Sequence, residues 1–145
     1  MKVNECMCDN VLWVNPNTTI CECANLMADH KIGCIPVCNT EKNVVGLITD
    51  RDILLRSVCC GKNAKTTPVS EIMSTQVCCC NSNEELKYAE NLMSENQIRR
   101  LPIVENNKIV GILSIGDISR NPNTNKESFI TTFDNICSCG NKNHQ

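Results

Sequence analysis

The chain is poor in the residues that most enzymes and nucleic-acid binders rely on. Its 145 residues include four aromatics, Trp13, Tyr88, Phe129 and Phe133, and two histidines, His30 and His144. Neither histidine sits beside a nucleophile in a motif, so no Ser–His or Cys–His constellation is visible and no catalysis is expected. Basic residues are not in excess: 14 Lys and Arg stand against 16 Asp and Glu, a net charge of −2. That balance offers no stripe for nucleic acid. No apolar run approaches the ~20 residues of a membrane span, and Met1 to Asn10 lacks the apolar centre of a secretory signal. A cytoplasmic location is the expectation. A (β/α)₈ barrel, at roughly 250 residues, does not fit in this length.

What the chain has in quantity is cysteine, 13 residues, yet no C-x-x-C. The spacings Cys6-x-Cys8, Cys21-x-Cys23, Cys34-x₃-Cys38, Cys59-Cys60, Cys78-Cys79-Cys80 and Cys137-x-Cys139 match neither a zinc ribbon nor a thioredoxin-like site. In a reducing compartment such thiols are free, buried or metal ligands.

The second feature present is repetition. With a shift of 66, Met7 falls on Met73, Val11 on Val77 and Asn15 on Asn81. The triplet Asn25-Leu26-Met27 falls on Asn91-Leu92-Met93, Ile32 on Ile98 and Pro36 on Pro102. After a one-residue deletion, Val45-Gly46 falls on Val110-Gly111 and Asp52-Ile53 on Asp117-Ile118. The chain therefore divides into a repeat at 3–60, a linker at 61–68, a second repeat at 69–121 and an extension at 122–145.

Each repeat reads βαββα, an α+β pattern. Strands are expected at Val11–Val14 and Val77–Cys80, each ending in an Asn-rich helix-start signal. Helices follow, with one apolar stripe at Ile20, Cys23, Ala24 and Met27 and another at Leu86, Ala89 and Met93. Hairpins are expected at Ile35–Cys38 with Val44–Ile48 and at Leu101–Val104 with Ile109–Leu113. Asn106 and Asn107 suit the second turn because Asn tolerates positive φ. A last helix starts near Thr49 and near Ser114. Since neither repeat buries its sheet alone, the two are expected to pack about a pseudo-twofold axis. In the extension, Phe129, Phe133 and Ile136 are spaced for one helix face, with Gly140 as its stop and the repeat body or a second subunit as its docking surface.

One motif recurs: Gly46-Leu47-Ile48-Thr49-Asp50-Arg51-Asp52 and Gly111-Ile112-Leu113-Ser114-Ile115-Gly116-Asp117. Taken singly, Ser/Thr-x-x-Asp is a helix N-cap with an acidic third residue. Taken twice, each time after an apolar-Pro-apolar strand, it says more. Together with Gly33-Cys34-Ile35-Pro36-Val37 and Arg99-Arg100-Leu101-Pro102-Ile103, it makes the chain resemble a tandem pair of CBS domains, a Bateman module. Thr-Asp-Arg-Asp is also similar to the regulatory insert of inosine monophosphate dehydrogenase, whose catalytic barrel is absent here.

The resemblance implies a non-catalytic regulatory or energy-sensing module, stand-alone in type and homodimeric. Its ligand would be an adenine nucleotide (AMP, ADP or ATP) or S-adenosylmethionine, its partner an unidentified regulated protein, and no cofactor is required. It implies that Asp52 and Asp117 hold the ribose hydroxyls and that Thr49 and Ser114 contact the phosphate or ribose side. The chemistry agrees: a carboxylate accepts both hydroxyls of a cis-diol, and a helix start favours phosphate. Ile35, Pro36, Leu101 and Pro102 would wall the adenine. Arg99 and Arg100 are either phosphate contacts or a solvated strand end, with Arg51 a further basic candidate. Because Gly33 and Cys34 occupy the matching positions in the first repeat, the two clefts are expected to be unequal. Trp13 is read as a half-buried packing residue or a stacking surface for adenine.

Alignment of the repeats explains most cysteines. Cys78 matches Leu12, Cys80 matches Val14 and Cys38 matches Val104, so these act as small apolar strand residues. The termini leave an alternative open, a thiol-based metal or redox sensor using Cys137, Cys139 and His144, with Cys6 and Cys8 able to approach. A scaffold whose clefts bind nothing is the third reading.

Overall fold

A computed structural model of the chain describes residues 1–138. Residues fall into two compact units, Leu12–Val77 and Met1–Val11 with Cys78 onward. The first eleven residues of the chain thus belong with the second repeat's body, and residues up to Val77 with the first.

In the unit Leu12–Val77, helix α1 (Ile20–His30) starts at Thr19, whose hydroxyl accepts the Glu22 N–H while the Glu22 carboxylate accepts the Thr19 N–H. This reciprocal pair satisfies two helix-end donors. The expected stripe is realised: Ile20, Cys23 and Met27 are buried, with Ala24 partly so. The linker finishes the helix start, since Thr67 and Ala64 carbonyls accept the Ile20 and Cys21 N–H groups. Strands β1 (Cys34–Cys38) and β2 (Val44–Thr49) pair antiparallel. Helix α2 (Asp50–Asp52) continues directly into a π-helical turn, Ile53–Val58.

The other unit repeats the plan. Strand β3 (Cys80–Asn81) runs parallel to β4 (Arg100–Glu105), which pairs antiparallel with β5 (Lys108–Ser114). Asn106 and Asn107 take φ of 50° and 65°, the left-handed turn the sequence calls for. Helix α3 (Leu86–Asn96) buries Leu86, Ala89 and Met93. Helix α4 (Ile115–Arg120) follows β5 without a break.

Two expectations need correction. No strand forms over Val11–Val14; Val14 makes a single bridge to Val37, and β3 keeps only Cys80 of Val77–Cys80. The reason is the turn that follows: Asn15 and Asn81 side chains accept the N–H two residues on, bending the chain after one or two paired residues. The sheets gain other edges. Cys8 bridges Ile112 within one unit and Ser74 bridges Leu47 within the other.

In the extension, helix α5 (Lys126–Ile136) packs on α3 and buries Ile136 and Thr132. Phe133, expected on the buried face, is 42% exposed, and its ring lies against Phe129. The helix ends at Ile136, before Gly140, which lies outside the described residues. Each unit has its own core, one around Ile35, Val37 and Ile48, the other around Leu101, Ile103 and Leu113.

Candidate functional site

The two recurring motifs sit at the same place in each unit, where a hairpin strand turns into a helix. Thr49 leaves β2 with extended backbone, and its Oγ1 accepts the Asp52 N–H at 3.1 Å. The Asp52 Oδ2 in return accepts the Thr49 N–H at 3.0 Å. In the second repeat, Ser114 Oγ accepts the Asp117 N–H at 3.1 Å, and Asp117 Oδ2 accepts the Ser114 N–H at 2.9 Å. Capping is therefore real in both copies, and it uses one oxygen of each carboxylate.

The other oxygen of each carboxylate faces an arginine. Asp117 Oδ1 accepts a hydrogen bond from Arg120 Nη2 at 3.1 Å, and Asp52 Oδ1 lies 3.7 Å from Arg56 Nε. Both carboxylates are partly open, with side chains 13% and 19% exposed for Asp52 and Asp117. Arg56 and Arg120 are absent from the sequence reading. Their signal was the i,i+4 and i,i+3 spacing to the motif aspartates.

The strands before the motifs place the remaining candidates. Pro36 pairs with Leu47 and Pro102 with Ile112, while Ile35 and Leu101 are fully buried in the two cores. Arg100 lies across from Ser114, and the Arg99 carbonyl accepts the Ile115 N–H. Cys34 and Gly33 do the same for Thr49 and Asp50. The rims differ in charge. Beside Gly33 lies the Asp50 carboxylate, so close that a Cβ on Gly33 would meet its Oδ2 at 2.8 Å. Its counterpart in the second repeat is Ile115, and Arg99 replaces Gly33. Arg51 is exposed, and the matching Gly116 leaves room for the Arg120 guanidinium, 2.9 Å from where a Cβ would stand.

The opening glycine of each motif lies inside its strand. Gly46 pairs with Val37 and Gly111 with Ile103, both beside a β-bulge. A Cβ at Gly111 would come within 2.7 Å of the Cys8 carbonyl and of Met7 Sδ, and one at Gly46 would collide with Met73 Sδ. Glycine admits the crossing segment.

Tandem matches to the CBS domain family model cover residues 3–58 and 69–123. The chain belongs to the CBS domain family. The CBS domain-containing protein YhcV of Bacillus subtilis (strain 168) is 46% identical over 127 residues, 87% of this chain and 89% of that protein. Among solved structures, Hypoxic Response Protein I with two coordinated zinc ions matches with a TM-score of 0.77 at 28% identity, over 83% of this chain and 98% of that one. The CBS domain pair of MJ0100 in complex with 5-methylthioadenosine and S-adenosyl-L-methionine gives 0.72 at 26%, over 83% and 94%. CBSX2 in complex with AMP gives 0.71 at 26%, over 82% and 93%. A CBS pair is a regulatory module, and the α+β tandem-repeat fold is that of these relatives.

The cysteines mostly pack. Cys23, Cys34, Cys38 and Cys80 are buried, and Cys78 rests against the core. Burial pushes the Cys23, Cys79 and Cys80 thiols from the ordinary 9.0 up to about 11, which holds them protonated and weakly nucleophilic. Cys6 is raised as well, chiefly by burial and then by the Asp117 charge. Among the described residues no group of three or more His, Cys, Asp or Glu could hold a metal. Cys8 and Cys137 are exposed, and Cys139 and His144 lie outside the described residues. No helix among the described residues is long and apolar enough to cross a membrane.

Proposed function

We propose that the chain is a non-catalytic, cytoplasmic regulatory protein whose repeats bind an adenine nucleotide, with S-adenosylmethionine as the second ligand of the same class. The observation that carries this reading is the duplicated junction itself. In each repeat a hydroxyl residue and an aspartate are locked together at a helix start, and the aspartate keeps one oxygen outside the cap. That oxygen, on Asp52 and Asp117, takes the ribose hydroxyls, while the Thr49 and Ser114 hydroxyls face the phosphate side. Pro36 and Pro102, with Ile35 and Leu101 behind them, line the base side. Arg99 and Arg100 supply charge for phosphates, and Arg51 does so more weakly beside Asp50. AMP in CBSX2, and methylthioadenosine with S-adenosylmethionine in MJ0100, support this ligand class.

Ligand would shift the population of conformations that a regulated partner reads. Homodimerisation is supported by Leu54, Leu55 and Val58, which are 55%, 43% and 66% exposed on the second helical segment of the first repeat. Mass spectrometry of small molecules released from the natively purified protein tests the ligand class. An adenosine derivative at near-stoichiometric yield is expected. Recovery of none, together with no thermal shift from AMP, ATP or S-adenosylmethionine, overturns the reading.

A further inference from the structure

The unit Leu12–Val77 carries an open surface cavity of about 610 Å³ in which Thr49 and Asp52 take no part. Trp13 forms one wall, and the outer face of α1 forms the other with Glu22, Asn25, Leu26 and Asp29. These four recur at the spacing of a single helix face, opposite the buried Ile20, Cys23 and Met27. No lysine, arginine or histidine lines the space. A volume in this range suits a small molecule.

Asn15 and Asn25 of the lining have partners within the chain, whereas among the described residues Trp13, Asp29 and one oxygen of Glu22 do not. Trp13 is half-buried, and its indole N–H has no partner among the described residues. Asp29 is exposed and makes no hydrogen bond or ion pair there either. Glu22 uses one oxygen on its helix cap and leaves the other. The second repeat is the internal control. At the matching positions it has Cys79 for Trp13 and Tyr88 for Glu22. The fold is built there without the indole or the first carboxylate, so neither is required by the fold.

We propose that this cavity binds a small organic cation, an ammonium compound with a short carbon body. The indole face attracts a cation through its quadrupole, Leu26 receives the carbon body, and the two carboxylates neutralise the charge. The same carboxylates repel phosphates, so the site is separate from the nucleotide junctions and its test does not depend on them.

Trp13 is the single tryptophan of the chain, and its fluorescence reads the site directly. Titration with choline and with putrescine, at ionic strength fixed by sodium chloride, is expected to give a saturable change. The neutral isostere of choline, 3,3-dimethylbutan-1-ol, is expected to give none. Asp29→Asn, which breaks no internal bond, is expected to weaken the response at least tenfold. The proposal is overturned if neither ammonium compound gives a saturable change. It is equally overturned if the neutral isostere matches choline, or if Asp29→Asn titrates like the parent protein.

Discussion

Arg100 stands across the β4–β5 ladder from Ser114, where the first repeat pairs Cys34 with Thr49. Neither Arg99 nor Arg100 makes an ion pair among the described residues, so their charge is available to a ligand. In the first repeat the corresponding rim holds the Asp50 carboxylate. A phosphate therefore meets unlike surroundings at the two junctions. Calorimetric titration with ATP is expected to resolve two unequal classes of site, and Arg100→Ala to reduce the affinity of one about tenfold. Two identical sites would refute the inequality.

Asp117 carries two duties, and substitution separates them. Asp117→Asn keeps a cap acceptor but loses the charge that holds Arg120 and that the proposed function assigns to the ribose. Binding of AMP or ATP is expected to weaken by about 1.5–3 kcal/mol, roughly ten- to a hundredfold. The loss of Arg120's exposed ion pair adds little to stability, on the order of 0–1 kcal/mol. A melting temperature close to that of the parent, with unchanged nucleotide affinity, would remove Asp117 from the site.

Gly46 and Gly111 open the same motif, yet their surroundings predict different tolerance. An added methyl at Gly111 meets the Cys8 carbonyl, a backbone oxygen that accepts the Ile112 N–H and is fixed further by the Cys8 N–H bonding the Ile112 carbonyl. At Gly46 it meets chiefly the sulfur of Met73, the end of a flexible side chain. Overpacking of this kind costs about 1–3 kcal/mol. Urea denaturation should place Gly111→Ala toward the upper end and Gly46→Ala toward the lower.

These glycines also show why some of the structure was legible in the sequence and some was not. Caps and hairpins are local: Thr49 with Asp52, and the Asn106-Asn107 turn, are written within four residues. Membership of a unit is not local. Nothing around Val3 states that it is buried in the core with Leu101 and Ile136, far along the chain. The repeat register located Met7 and Met73 without naming what they cover, namely Gly111 and Gly46. Phe133 shows the limit of periodicity, which assigned it to the buried face although α5 packs there through Phe129, Thr132 and Ile136. Arg56 and Arg120 escaped because the repeat comparison looks for matched positions, and these two are offset by one residue.

The buried thiols give the fold a pH signature. Cys23, Cys79 and Cys80 lose protons near 9.0 in an unfolded chain and near 11 in the folded one, because burial disfavours the thiolate. Below pH 9 both states are protonated and the full stability is present. Between pH 9 and about 11 the folded chain binds protons that the unfolded chain has released, so stability falls as pH rises. Melting temperature is expected to hold up to about pH 9 and then decline toward pH 11. Other groups also titrate in this range, so a comparison lacking one of these buried thiols is needed. Cys80→Val supplies it, since the first repeat places Val14 at the matching position. The variant should decline less steeply than the parent, and an identical slope would show that the Cys80 thiol contributes nothing to the alkaline loss.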